Sequence, residues 1–253
     1  MTQLPDIARF DNAVVLVTGS SRGIGAGITR TFARAGARCV VNYVADPQGR
    51  NKAEAEQVAA ETNAALVVEC DVADDTRVAR MFEQVREAFG GLDILVNNAG
   101  ILRDKTLKKM TPQDWQAVIQ VNLTGAFNCI HHVVPVIRQG GRIVNISSVS
   151  GLLGMFGQAN YAASKAGLIA LTKVAAREFA RQQVTVNVVA PGFIDTEMSR
   201  TMPEEVTKKF LEQVPLGRFG QVQDVVNAVL FLCSPHASYI TGHVLSVNGG
   251  FHM

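Results

Sequence analysis

The chain lacks any stretch near the ~20 consecutive apolar residues that a membrane-spanning helix needs. Its opening, Met1-Thr-Gln-Leu-Pro-Asp6, also lacks the apolar core of a secretory leader. Charge of one sign is missing too. Lys and Arg number 24 against 22 Asp and Glu, a formal net charge of +2, and no basic cluster resembles a nucleic-acid stripe. The four cysteines (Cys39, Cys70, Cys129 and Cys233) are far apart, lack CxxC spacing and sit in apolar contexts. That excludes a disulfide framework or a cysteine metal site, and predicts core thiols of a reducing, cytoplasmic compartment. Internal repeats and low-complexity linkers are absent, which argues against a second domain. What the chain has is apolar content, 47% of 253 residues, enough to bury a full α/β core.

That content is organised by alternation. Strand-like runs occur at 13–17, 38–43, 65–69, 93–96, 142–147, 184–189 and 244–247. Helical patterns fill the gaps at 23–35, 52–62, 76–89, 112–139, 158–181 and 223–233. The order predicts a single-domain, Rossmann-type doubly wound parallel sheet of about seven strands with helices on both faces. Residues 192–220 break the alternation with Asp195-Thr196, Pro203 and Pro215. An insertion after a strand's carboxyl end lies where open α/β sheets bind ligands. It reads as a substrate lid, with a mobile surface loop as the alternative.

Two local patterns carry chemistry. Tyr161-Ala-Ala-Ser-Lys165 places a phenol and an ammonium four residues apart, on one helix face. An ammonium at ~4 Å contributes roughly 4 kcal/mol at an effective dielectric of about 20, or about 3 pKa units before opposing costs. That predicts a phenol lowered from ~10 toward neutrality, where a general acid/base works best. Ser148, thirteen residues upstream, offers a hydroxyl to hold the reacting oxygen. The bland alternative is a helical Tyr and Lys meeting on a solvated surface. Near the N-terminus, Val14-Val15-Leu16-Val17 reads as a buried strand that runs into Thr18-Gly19-Ser20-Ser21-Arg22-Gly23-Ile24-Gly25. Its glycines allow a tight turn and close backbone approach, aiming amides and a helix N-terminus at phosphate. The spacing is Gly-x-x-x-Gly-x-Gly, not the common G-x-G-x-x-G.

Taken in order, Thr18 to Gly25, Asn97-Asn98-Ala99-Gly100, Asn122, Ser148, the Tyr161/Lys165 pair and Pro191-Gly192 resemble the short-chain dehydrogenase/reductase family. Within it the chain is most similar to 3-oxoacyl-[acyl-carrier-protein] reductases, from Ala13 to the end. The resemblance implies roles for individual residues. Tyr161 protonates a substrate carbonyl as hydride arrives. Lys165 lowers the Tyr161 pKa and binds the nicotinamide ribose. Ser148 polarises the carbonyl and stabilises the developing alkoxide. Asn122 carries a proton-relay water, unless it is an ordinary helix-interior amide. Gly19, Ser21, Arg22, Gly23 and Ile24 form the phosphate turn, and Asn98, Ala99 and Gly100 pass beneath the adenosine ribose. Asp71 and Val72 lie at the adenine, although an Asp in that place also fits a turn or a helix cap. Pro191, Gly192, Ile194 and Thr196 lie at the nicotinamide amide.

The expected cofactor is NADPH. Family enzymes that use NAD place a carboxylate at the end of the second strand to take the ribose hydroxyls. Tyr43 stands there instead, and Arg22 can reach a 2′-phosphate as a bidentate donor. Three functions stay open: an NADPH-dependent reductase of 3-oxoacyl thioesters, a reductase of another ketone, or a non-catalytic nucleotide-binding protein. The helix from Tyr161 to Phe179 is apolar almost all round, and the preceding helix is similar, with Trp115, Val118, Ile119, Leu123, Phe127, Ile130 and Val134. This predicts paired helices across a two-fold axis, and the family implies a homotetramer. It also implies arginines at the site mouth for acidic acyl carrier protein. Their places fall at Gln139 and Gln182, with Arg138 and Arg181 one residue earlier.

Overall fold

Val14–Val17 begins a sheet whose two faces are read off alternate residues. Val14 and Leu16 enter one apolar cluster, Val15 and Val17 the other. The computed structural model describes residues 9–196 and 204–253. The Met1–Asp6 opening and residues 197–203 of the expected lid lie outside them.

The strands are β1 (Val14–Val17), β2 (Arg38–Tyr43), β3 (Leu66–Glu69), β4 (Leu92–Asn97), β5 (Ile137–Ile146), β6 (Thr185–Pro191) and β7 (Val244–Val247). They form one parallel sheet in the order β3-β2-β1-β4-β5-β6-β7. The crossover direction reverses between β1 and β4, which opens a crevice at their carboxyl ends. The helices are α1 (Gly23–Arg34), α2 (Arg50–Thr62), α3 (Asp75–Phe89), α4 (Pro112–Ile119), α5 (Gly125–Val133), α6 (Ser150–Leu153), α7 (Ala159–Glu178), α8 (Glu204–Leu211) and α9 (Val222–Cys233). Val78 and Phe82 of α3, Cys129 and Val133 of α5 and Ala175 of α7 cover one face. Ile28 and Phe32 of α1 and Val225 and Val229 of α9 cover the other.

Local chemistry sets several ends. Asp74 accepts the Arg77 amide at 3.1 Å and starts α3. Thr111 and Asp114 form a reciprocal capping box at α4, with Pro112 in its first turn. The helix expected over 112–139 is corrected. It breaks into α4, a widened π turn at Gln120–Thr124, and α5. Helix then ends at Val133, because Pro135 has no amide to continue the ladder. Gln139 and Arg138 therefore lie on β5. Three extra residues of β5 loop out between the pairs Leu92–Ile137 and Ile94–Arg142. The short α6 and α8 were not expected, since four- and eight-residue helices carry little periodic signal.

No helix among the described residues is long and apolar enough to cross a membrane, and no cluster of His, Cys, Asp and Glu among them could hold a metal ion. The four cysteines are buried and free. Burial pushes the Cys39, Cys70 and Cys233 thiols up to about 12 and Cys129 up as well.

Candidate active site

The glycine turn is fixed by what passes beneath it. Thr18 Oγ1 accepts the amides of Asn98 (3.0 Å) and Ala99 (3.1 Å), and Asn98 Nδ2 donates to the carbonyls of Thr18 and Gly19. A Cβ on Gly25 would stand 2.4 Å from the Gly19 carbonyl oxygen and 2.6 Å from Asn98 Nδ2. Glycine is obligatory there for space. Gly23 needs glycine for its backbone, with φ +56° and no atom within 4 Å of a Cβ. The first turn of α1 has no side-chain cap and no acidic residue, so its amides face the turn with the positive end of the helix dipole.

Asn42, which the sequence reading missed, locks this turn to β2. Its Oδ1 accepts the Gly19 amide at 3.0 Å, while its amide and carbonyl bond to Ser20. A buried strand Asn is a detectable oddity, but its partner is visible only in three dimensions. Tyr43 is buried with Ala26, Val41, Ala55 and Val58. What it contributes at the end of β2 is the absence of a carboxylate. Arg22 is placed differently from expectation, because Glu54 of α2 lies 3.0 Å from its Nε and also 2.7 Å from Arg50 Nε. Asp71 takes the turn role, its Oδ1 accepting the Ala73 amide at 2.9 Å. Val72 is packed in the core, and its carbonyl accepts Asn128 Nδ2.

The catalytic candidates gather at the carboxyl ends of β4, β5 and β6. Ser148 follows β5 and accepts the Ser150 amide at 3.1 Å, and its hydroxyl lies near enough to the Tyr161 phenol to act on its ionisation. Lys165 is buried one turn after Tyr161. Its Nζ donates to the Ile146 carbonyl at 2.8 Å and lies 5.5 Å from the Tyr161 ring centre. Asn122 sits in the π turn, where its side chain bonds both the amide (2.8 Å) and the carbonyl (3.1 Å) of Ile101, and Ser164 besides. It is a cross-link rather than an ordinary interior amide. A Cβ on Gly100 would be 3.3 Å from Asn122 Oδ1 and 3.6 Å from Lys165 Nζ, so all three residues border one space. Asn160, also missed, holds the start of α7. It accepts the Tyr161 amide and donates to the carbonyls of Arg103 and Asp114.

At β6, the Pro191 carbonyl accepts the Val149 amide, tying the Ser148 loop to the strand end. Gly192 lets the chain pass Asn248, whose Cα would be 2.9 Å from a Cβ there. Ile194 bridges to Gly220, and Phe193 packs on Phe210, Phe219 and Phe251, anchoring the described parts of 192–220. Thr196 lies just beyond.

The pKa expectation is corrected. Burial pushes Tyr161 up to about 12; the Ser148 hydrogen bond opposes that rise and Asp104 adds to it. Burial lowers Lys165 to about 8. An intact ammonium directed at the phenol at ~4 Å would lower the phenol's pKa. Here the ammonium is directed at Ile146, and desolvation favours the neutral form of both groups. A phenol that stays protonated at neutral pH is a proton donor, as carbonyl reduction requires.

The expected docking positions lie at the other end of the sheet. Arg138 opens β5, bonded to Asp93 (2.5 Å) and the Phe89 carbonyl. Arg181 lies in a short turn before β6, with Gln182 closing it. In one chain, neither borders the Tyr161 space.

The comparisons with known proteins agree with this geometry. A family described as Enoyl-(Acyl carrier protein) reductase matches residues 19–252. The 3-oxoacyl-[acyl-carrier-protein] reductase of Staphylococcus aureus is 48% identical, over 94% of this chain and 97% of its own length. The enzyme of that name from Staphylococcus epidermidis is 46% identical over 96% and 100%, and that of Aquifex aeolicus 47% over 96% and 98%. With the glycine turn, the Tyr161/Lys165 pair and the reversed sheet order in one chain, the conclusion is plain: the chain belongs to the short-chain dehydrogenase/reductase family.

Proposed function

We propose that this protein reduces 3-oxoacyl thioesters to 3-hydroxyacyl thioesters with NADPH. The observation that carries the reading is the single space bordered by Gly100, Asn122 and Lys165, one helical turn from Tyr161 and beside Ser148. It stands in a chain 46–48% identical to reductases named for that reaction. The residues fit the cofactor, for the Gly19–Gly25 turn presents uncapped amides to a pyrophosphate and Tyr43 brings no carboxylate to repel a 2′-phosphate. Arg22 is the phosphate partner in this reading, released from Glu54. Gly19, Ser21, Gly23 and Ile24 would hold the pyrophosphate, Asp71 and Val72 the adenine, and Asn98, Ala99 and Gly100 the adenosine ribose. Pro191, Gly192, Ile194 and Thr196 hold the nicotinamide amide.

Bound NADPH supplies the hydride to the carbonyl carbon. Ser148 holds the carbonyl oxygen by a hydrogen bond that strengthens as negative charge develops. Tyr161 gives that oxygen its hydroxyl proton, and the product is the alcohol. Lys165 binds the nicotinamide ribose and carries positive charge below about pH 8. Asn122 keeps the π turn against Ile101 and holds the water that returns a proton toward Lys165. The described residues 192–196 and 204–220 flank the acyl group in this reading, anchored by the packing of Phe193 on Phe210. Exposed Trp115, Phe127, Val134 and Val174 support helix pairing in a homotetramer.

The test is NADPH oxidation with acetoacetyl-CoA and, in parallel, crotonyl-CoA, since the matching family carries an enoyl-reductase description. Turnover of the ketone but not the alkene supports the reading. Turnover of the alkene alone overturns it.

A further inference from the structure

One rim of the site carries a surface that the mechanism does not use. After β4 the chain runs through Arg103, Lys105, Leu107, Lys108 and Lys109 before α4 begins. The Lys105 amide donates to the Gly157 carbonyl at 2.8 Å, and Lys105 bridges to Gln158. Gln158 Nε2 donates to Asp104 at 2.7 Å, three residues before Tyr161. These bonds set the loop beside the 154–157 segment at the active-site mouth. Two apolar side chains stand open there, Leu107 at 79% exposure and Phe156 at 93%. Turn backbone at 107–109 turns three consecutive side chains outward.

The charges around them are uneven. Asp114 takes Lys105 at 3.0 Å and lies 3.7 Å from Arg103. Lys108 and Lys109 are exposed and form no ion pair among the described residues. An exposed apolar pair flanked by uncompensated cations suits an acidic protein surface with an apolar strip, where charge steers encounter and apolar contact slows release.

We propose that Lys108 and Lys109, with Leu107 and Phe156, form the surface on which the acidic acyl carrier protein docks to deliver its thioester to Tyr161. This rests on the reductase reading above. It differs from the expectation built on Arg138 and Arg181, which lie at the opposite end of the sheet.

The experiment compares kcat/KM for acetoacetyl groups on carrier protein and on N-acetylcysteamine. The second thioester is neutral, so it reports the chemistry without electrostatic docking; CoA, itself a phosphate anion, is a weaker control. In the full-length protein, Lys108→Glu/Lys109→Glu lowers kcat/KM for the carrier substrate by about tenfold or more at low salt, and added salt shrinks the loss. Turnover of the neutral thioester stays within about twofold. Phe156→Ala lowers the carrier value roughly threefold, with little salt dependence. Equal losses on both substrates would overturn the docking surface. So would an intact carrier value in the lysine variant, or a carrier-specific loss confined to Arg138→Glu/Arg181→Glu. A wild-type enzyme that reduces neither thioester refutes the reductase reading and takes this surface with it.

Discussion

The two ends of the one sheet are built from similar strands and do different work. At the carboxyl edge, polar groups are cross-linked between elements that are distant in sequence. Thr18 meets Asn98, Asn42 meets Gly19, Ser147 bonds the Lys165 carbonyl, and Asn97 donates to Asn145, which donates to Thr172. At the amino edge the arginines are spent locally. Arg138 meets Asp93, and Arg142 donates to the carbonyls of Gly140 and Gly141. A cavity of about 440 Å³ opens at this amino edge, whereas the space behind Thr18, Ala99 and Val121 is too tight to admit a water. Cavity size therefore does not locate the chemistry. In the proposed reading it is placed by the convergence of a buried phenol, a buried ammonium and a glycine turn.

The sharpest way to break this contrast is Tyr161→Phe. It keeps the ring and removes the proton donor, so kcat falls on the order of 10²–10⁴-fold. NADPH binding, followed by fluorescence titration, changes little. A variant retaining a tenth of the rate contradicts the assignment. Next comes Gly25→Ala, which drives a methyl against the Gly19 carbonyl oxygen at 2.4 Å. Overpacking of that kind costs roughly 1–3 kcal/mol. NADPH affinity drops at least about tenfold with it, because the amides of the turn shift; calorimetry and titration read both. Gly23→Ala, strained only by its positive φ, loses less stability, about 1–2 kcal/mol.

A smaller effect is expected from pH. Lys165 titrates near 8 and Tyr161 near 12. Reduction needs the protonated forms, so its rate holds below about pH 8 and declines above as Lys165 loses its charge. Oxidation of the 3-hydroxyacyl product needs the deprotonated phenol, so it rises with pH instead. Profiles of the two directions with the same sign would contradict these assignments. The smallest effect belongs to the amino edge. Arg138→Ala removes a partly exposed ion pair, costs about 1 kcal/mol of stability or less, and leaves turnover of a small thioester unchanged.

Much of the carboxyl edge was legible in the sequence because local rules write it. A branched strand that runs into glycines and an amphipathic helix specifies β1, the turn and α1 without outside help. The i, i+4 spacing puts Lys165 beside Tyr161 wherever that helix packs. What escaped depends on partners. The break at Gln120–Thr124 lies where Asn122 reaches across to Ile101, and nothing in residues 112–139 announces that bond. The Arg22–Glu54 contact needs α2 placed against the turn. The Tyr161 pKa went the opposite way because a pair distance is readable from helix geometry whereas desolvation is not. Arg138 ends a helical pattern that Pro135 interrupts, so it stands on β5 at the far edge of the sheet.

The most direct test of the central claim is where the hydride goes. The enzyme is given acetoacetyl thioester and NADPH carrying deuterium on its transferring face, and the product is analysed by mass spectrometry and NMR. The account predicts one deuterium on the third carbon, the carbon that bears the new hydroxyl, and no transfer in Tyr161→Phe on the same timescale. Deuterium at another carbon, or equal transfer by the Phe variant, would contradict it.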